Sequence, residues 1–249
     1  MSRFYAPPEN INGNFIHING QEAKHILKVM RLAEDDKVVV FDGTGREYAG
    51  FIKEIRPSGG INTKSVIIEI VSTKTPKEDK FPEITLAQCV PKREKMDYIV
   101  EKTTELGVSA IIPLVSERTV VDISGKKAAD KRARWERIAV EAAKQCGRTD
   151  VPEIKNVQKL SCAQGGASDY DLALMACLRE DTLQIRDAIS GFTGGKIIVF
   201  IGPEGDFTPG EIKTAEETNC RLISLGKRVL KSDTAPIYAI SVLNHEFSR

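Results

Sequence analysis

The sequence has no excess of charge of either sign: 36 Lys and Arg stand against 35 Asp and Glu in 249 residues. A uniformly basic nucleic-acid coat is excluded, and any basic surface must be local. No apolar run approaches the ~20 residues that cross a bilayer as a helix. Residues 1–8 have no apolar signal core, so the expectation is a cytoplasmic protein without membrane attachment. The five cysteines, at 89, 146, 162, 177 and 220, include no C-x-x-C pair. That pattern supports neither a disulfide framework nor a zinc ribbon. Histidines are scarce too: His17, His25 and His245 lack metal-ligand spacing, and no metal is expected. Gly43-Thr44-Gly45 does not extend to a dinucleotide fingerprint, residues 191–196 miss the P-loop spacing, and no G-x-S-x-G elbow occurs. Nicotinamide, nucleotide-hydrolysing and serine-hydrolase chemistries are thereby set aside.

What is present is an ordinary globular composition, 41% hydrophobic and 29% charged, in a chain long enough to bury a substantial core. Residues 1–73 carry nine basic and nine acidic side chains. They read as short strands at 38–41, 48–55 and 66–71, with turns at 42–45 and 57–62 and one helix at 21–32. Short strands with Gly-rich turns predict a small barrel. The polar, Pro-containing stretch 74–81 reads as a linker. From residue 82 strands alternate with helices: strands at 84–90, 110–115, 172–178, 197–201 and 221–225, helices at 96–106, 130–146, 181–190, 209–219 and 234–247. In the 130–146 helix Trp135, Ile138, Ala139 and Ala142 form an apolar stripe. The alternation predicts a parallel α/β domain over 82–249.

Two strand ends carry the chemistry. After Ile197 to Ile201 comes Gly202-Pro203-Glu204-Gly205-Asp206, then Thr208 or its neighbour as a helix cap. Ligands in open α/β sheets bind at such carboxyl ends, and glycines let the backbone approach them. A tight turn chosen for geometry alone would read the same way. The second strand end runs from Leu225-Gly226-Lys227-Arg228 through Val229-Leu230-Lys231, with Ser232 or Asp233 expected to cap the last helix. Two such loops at neighbouring strands border one crevice. The local basic surface lies at 118–148, nine Lys or Arg against four acidic residues, with Lys92, Arg93 and Lys95 as a second cluster. Such patches attract phosphates, although a solvated helix face has the same composition.

In these segments the chain resembles the RsmE 16S ribosomal RNA uracil-N3 methyltransferases of the SPOUT superfamily. The resemblance rests on Arg3-Phe4-Tyr5, His25-Ile26-Leu27-Lys28-Val29-Met30-Arg31, Lys102-Thr103-Thr104-Glu105-Leu106-Gly107-Val108 and Arg134-Trp135-Glu136-Arg137-Ile138. It continues through residues 141–148, 201–207 and 225–235, the last two being the most specific. It implies a PUA-like RNA-binding barrel joined to a SPOUT-type parallel sheet with a C-terminal trefoil knot. It further implies S-adenosyl-L-methionine as cofactor, 16S rRNA of the small ribosomal subunit as substrate, and a homodimer.

Carried onto this chain, the resemblance puts Ile201, Gly202, Pro203, Gly205, Leu225, Gly226, Val229, Leu230, Thr234 and Ala235 around the cofactor. Arg3, His25, Arg31, Lys92, Arg132, Arg134 and Arg148 would meet RNA. Arg228 or Lys231 would stabilise charge on the uracil, and Glu204 would accept the N3 proton or orient the cofactor. Lys231, Asp233 and Asp206 stand where the family commonly has Arg, Glu and Gly. A different methylated position, a catalytically silent RNA-binding assembly factor and a domain for another small ligand remain as alternatives.

Overall fold

The structure, a computed structural model, describes residues 3–57, 64–75 and 81–247. Most of the expected linker and the tip of the 57–62 turn lie outside them. The chain divides into two compact units. One comprises Met1–Asp79 with Ala143–Val151, the other Lys80–Ala142 with Pro152–Arg249.

The first unit contains β1 (Arg3–Tyr5), β2 (Ile11–Asn12), β3 (Phe15–Ile18), α1 (Gly20–Lys24), β4 (Lys37–Phe41), β5 (Glu47–Pro57) and β6 (Lys64–Lys74). Its sheet runs β1-β4-β5-β6-β3-β2. All pairs are antiparallel except β1 with β4. Register shifts at Ala49/Gly50 and Ile52/Glu54 bend the long β5–β6 pair, and the inward residues bury one core of Phe4, Ile16, Ile18, Val38, Val40, Ile52, Val66 and Ile68. The helix expected over 21–32 is shorter. After α1 the backbone widens into a π-helical turn, His25–Val29, where the Met30 N–H reaches the His25 carbonyl at 2.9 Å. Arg31, at φ 53°, then turns the chain out of the helix. Residues 143–151 join this unit through Gly43: the Val151 N–H donates to its carbonyl at 3.0 Å.

The second unit is built on β7 (Glu83–Cys89), β8 (Ala110–Val115), β9 (Glu153–Ile154), β10 (Gln158–Lys159), β11 (Leu172–Ala176), β12 (Leu183–Gln184), β13 (Lys196–Ile201) and β14 (Arg221–Ser224). The sheet order is β10-β8-β7-β13-β11-β14-β12, with β9 also on β8, and every pair is parallel. The helices are α2 (Lys95–Glu105), α3 (Gly125–Cys146), α4 (Leu160–Gly165), α5 (Ile185–Ala188), α6 (Pro209–Glu217) and α7 (Thr234–Phe247). Strands covered on both faces must be apolar throughout. Accordingly Ile197, Ile198, Val199, Phe200 and Ile201 of β13 are all buried. One face packs Leu160, Ala163, Ile212 and Ala215 of α4 and α6. α7 packs against β7, β13 and α2. Of the helix expected at 181–190, only α5 is helical, because residues 183–184 pair with β14 instead.

Candidate active site

Register places the ends that matter at one level. Ile201 of β13 stands opposite Ala176 of β11 and Gln88 of β7. The loops leaving β11, β13 and β14 therefore emerge side by side at the carboxyl edge, where α/β sheets bind ligands. They enclose a cavity of about 520 Å³, within the range of small-molecule sites. Its walls come from the end of β11 at Ala176 with Cys177, Leu178, Arg179 and Glu180 after it, and from the end of β13 at Ile201 with Gly202, Pro203, Glu204 and Asp206 after it. Residues 224–226 and 228–232, Ala235 and Lys95 complete it.

The β13 loop is a tight turn held at several points. The Asp206 N–H donates to the Pro203 carbonyl at 3.0 Å, and Asp206 itself takes φ 58°, a region that Asp tolerates better than most residues. The turn is closely packed: a Cβ on Gly202 would lie 3.4 Å from the Asp206 Cα and the Phe207 ring, in van der Waals contact with both. The Asp206 carboxylate accepts the Leu178 N–H at 3.0 Å and so ties the β13 loop to the β11 loop. Arg118 donates to the carbonyls of Gly205 at 2.7 Å and Phe207 at 3.3 Å. Thr208 then forms a full capping box with Glu211 at the start of α6.

Ser232 and Asp233, expected as caps of α7, are used otherwise. Ser232 Oγ donates to Glu204 Oε1 at 3.1 Å, and Asp233 Oδ1 accepts from Lys95 Nζ at 3.0 Å. The Thr234 and Ala235 N–H groups instead reach the Lys231 carbonyl, both at 2.9 Å. Glu204 Oε1 also accepts the Lys92 N–H at 3.2 Å. Burial would raise the Asp233 carboxyl. The Lys95 hydrogen bond, a backbone N–H and the charges of Lys95 and Lys231 outweigh it and hold the group below its ordinary 3.8. Burial, with Asp206 nearby, pushes the Cys177 thiol up to about 11, so it serves as a neutral wall.

Of the residues expected around a cofactor, Ile201, Gly202, Pro203, Leu225, Gly226, Val229, Leu230 and Ala235 line the cavity, together with Glu204, Arg228 and Lys231. Gly205 and Thr234 lie outside the lining. Arg228 is exposed and has no hydrogen bond or ion pair among the described residues. No backbone hydrogen bond among them holds residues 227–230. The sequence placed Lys95 in a basic cluster, Asp206 in the β13 turn and Ser232 as a helix cap, but carried no sign that the three border one cavity.

The residues expected to meet RNA divide into two groups. Arg3 donates to the Arg148 carbonyl at 2.7 Å and lies over the Phe41 ring. Arg132 holds the Ile154 carbonyl at 2.9 Å and the Asn156 side chain at 2.7 Å. Arg134 pairs with Asp97, and Arg148 with Asp150. These four guanidiniums are engaged within the fold. His25, half-buried, meets Phe4 edge-on with ring centres 5.8 Å apart. Arg31 and Lys92 are exposed, and neither side chain has an ionic partner among the described residues. No helix among the described residues is long and apolar enough to cross a membrane.

Residues 77–244 match the RNA methyltransferase domain and residues 18–71 the RNA methyltransferase PUA domain. The chain is 32% identical to ribosomal RNA small subunit methyltransferase E of Bacillus subtilis over 238 residues, covering 92% of this chain and 89% of the relative. It is 29% identical to the protein of that name from Aquifex aeolicus, covering 98% and 99%. Among solved structures it is similar to ribosomal RNA small subunit methyltransferase E from Neisseria gonorrhoeae bound to S-adenosyl methionine. That likeness has a TM-score of 0.85 and 28% identity, covering 99% of this chain and 98% of the other.

Proposed function

The chain belongs to the RNA methyltransferase family, and on that premise we propose that it transfers a methyl group from S-adenosyl-L-methionine to N3 of a uridine in 16S rRNA. The observation that carries this reading is the cavity. Its three loops contain most of the positions that the family resemblance assigns to the cofactor, and a relative with a closely similar fold was solved with S-adenosyl methionine bound.

The donor set fits that molecule. Ile201, Leu225, Leu230 and Ala235 offer apolar walls, and the unpaired backbone of residues 227–230 offers donors and acceptors to an adenine edge. When bound, the cofactor supplies an activated methyl group on a sulfonium. Uridine N3 has a lone pair to receive it only once its proton has passed to solvent water. Arg228 and Lys231, both exposed cations at the mouth, stabilise the charge that then builds on O2 and O4. Glu204 has one oxygen already committed to Ser232 and the Lys92 N–H. This commitment supports an orienting role for Glu204 over that of proton acceptor. A Glu204→Gln enzyme that keeps its single-turnover rate at saturating cofactor would exclude the base assignment; a loss of about a hundredfold would restore it.

The same reading includes a PUA-like RNA-binding unit at 1–73, a linker at 74–81, a SPOUT unit at 82–249 with the C-terminal segment threaded as a trefoil knot, and a cytoplasmic homodimer. Support for the dimer comes from exposed apolar side chains on packed helices and the neighbouring loop: Tyr98 on α2, Tyr238 on α7 and Val229, which is 75% exposed. Of the cations expected to meet RNA, Arg31 and Lys92 are the two whose side chains have no ionic partner among the described residues.

The decisive test incubates small ribosomal subunits lacking the modification with protein and S-adenosylmethionine, followed by mass spectrometry of the digested RNA. N3-methyluridine supports the proposal. A 2′-O-methyl nucleoside keeps the methyltransferase and removes the uracil assignment. Absence of both product and cofactor binding points to a silent RNA-binding protein.

A further inference from the structure

Lys95 occupies an unfavourable place for a cation. It is the first residue of α2, where the helix dipole favours negative charge, and its side chain is only 30% exposed. Three oxygens surround its ammonium: Asp233 Oδ1 at 3.0 Å, Ser232 Oγ at 3.4 Å and Glu204 Oε1 at 3.8 Å. Glu204 belongs to the loop after β13, whereas Ser232 and Asp233 belong to the segment entering α7. Each loop thus contributes a carboxylate, and a single cation lies between them. A residue that breaks a local rule and is compensated by two separate loops is placed for what it does to those loops.

We propose that Lys95 is a positioning residue for the cofactor cavity, its ammonium fixing Glu204 and Asp233 so that the β13 loop and the α7 entry stand at the separation that accepts S-adenosylmethionine. The proposal rests on the functional reading above and adds a residue to it. Without the cation, Asp233 and the Ser232 hydroxyl lose a donor and the two carboxylates lose the charge that they share. Like-charge repulsion then favours opening of the wall. An arginine would keep the charge but present a planar fork in place of a compact ammonium, so it restores part of the effect.

The test compares wild type, Lys95→Met, Lys95→Arg, Asp233→Asn and the Lys95→Met/Asp233→Asn double variant. Calorimetry gives the dissociation constant for S-adenosylmethionine, and single-turnover methylation of unmodified small subunits gives the rate at saturating cofactor. Circular dichroism melts establish that each variant is folded. Lys95→Met is expected to weaken cofactor binding about tenfold, the usual scale for a hydrogen bond to a charged group, with the saturated rate within about threefold of wild type. Lys95→Arg should recover most of the affinity. The double variant should bind no more weakly than the poorer single variant, because residues acting as one unit are not additive.

A folded Lys95→Met protein with unchanged affinity overturns the proposal, as does a double variant whose losses multiply. Loss of rate at saturation with unchanged affinity would move Lys95 into the chemistry and overturn the positioning role. If the wild type binds no S-adenosylmethionine, the functional reading fails and the proposal falls with it. Wild-type binding with an indifferent Lys95→Met overturns this proposal alone.

Discussion

The parallel sheet has a hollow at each end, and the larger one is the less promising. At the amino ends of β11 and β14 a hollow of about 830 Å³ is bordered by Ser168, Asp171, Glu216, Asn219 and Arg221. Three of its charged groups already serve the fold. Asp171 accepts the Lys196 N–H at 2.8 Å, Arg221 donates to the Ala188 carbonyl, and Glu216 meets Arg179 at 3.3 Å. The carboxyl-end cavity is smaller, about 520 Å³. There, however, the backbone of 227–230 and the Arg228 guanidinium are uncommitted among the described residues, while the loops bearing them are cross-tied by Asp206, Glu204 and Lys95. Volume does not distinguish the two ends. Uncommitted groups on fixed loops do, since a ligand then meets donors and acceptors whose positions need no reordering.

The sharpest way to break that comparison is to remove an uncommitted group at the carboxyl end. Arg228→Ala should lower the single-turnover rate by about a hundredfold, the scale for one charge-stabilising donor, and leave cofactor affinity within about twofold. A quench-flow measurement at saturating cofactor and RNA reads it. A rate within threefold of wild type would transfer the role to Lys231. Next in size is an attack on loop shape. Gly226 takes φ +107° and has open space around its Cβ position, so Gly226→Val strains the backbone without a clash. Strain of about 1–3 kcal/mol corresponds to a loss of cofactor affinity of about ten- to a hundredfold, measured by calorimetry. Unchanged affinity would mean that the loop reshapes freely and is not a fixed wall.

How much of this was legible beforehand depended on the kind of interaction. β13 announced itself as an unbroken β-branched and aromatic run and Thr208 offered itself as a cap, because both are local patterns; the structure adds Glu211 as its partner. The two loops around 201–206 and 225–231 were readable for the same reason. The cross-ties were not, since Lys95 and Asp233 are 138 positions apart in sequence and only the sheet order brings them together. The basic run on α3 shows the same limit from the other side. Arg132 and Arg134 look like free cations in a charge run, yet the fold supplies the Ile154 carbonyl and Asp97 as their partners. Composition counts charges and is blind to their partners. The short strands β9, β10 and β12 were also missed, being two residues each and carrying no period to detect.

A smaller effect concerns acid. The folded Asp233 carboxyl titrates below its ordinary 3.8. A depressed carboxyl contributes stability that is fully present above the unfolded value and is lost as pH falls through the folded one. Wild type should therefore melt above Asp233→Asn at about pH 6, and the difference should shrink only as pH falls below the carboxyl's ordinary 3.8. A difference that persists in acid would assign the effect to packing and separate Asp233 from the Lys95 charge.

The smallest expected effect lies at the amino end. Asn219, beside the larger hollow, holds φ +60°, a conformation that glycine adopts without cost. Asn219→Gly therefore relieves backbone strain while loosening the unfolded chain. These terms oppose one another, so the net change in stability should stay within about 1 kcal/mol. Its neighbours Asp171 and Arg221 keep their partners in the fold, and the substitution replaces no residue that lines the carboxyl-end cavity. Calorimetry should give the same S-adenosylmethionine affinity as wild type within about twofold, with an equal single-turnover rate. A tenfold change in either would show that the amino-end hollow is coupled to the carboxyl-end loops through β11 and β14, and commitment of polar groups would then no longer tell a structural hollow from a working one.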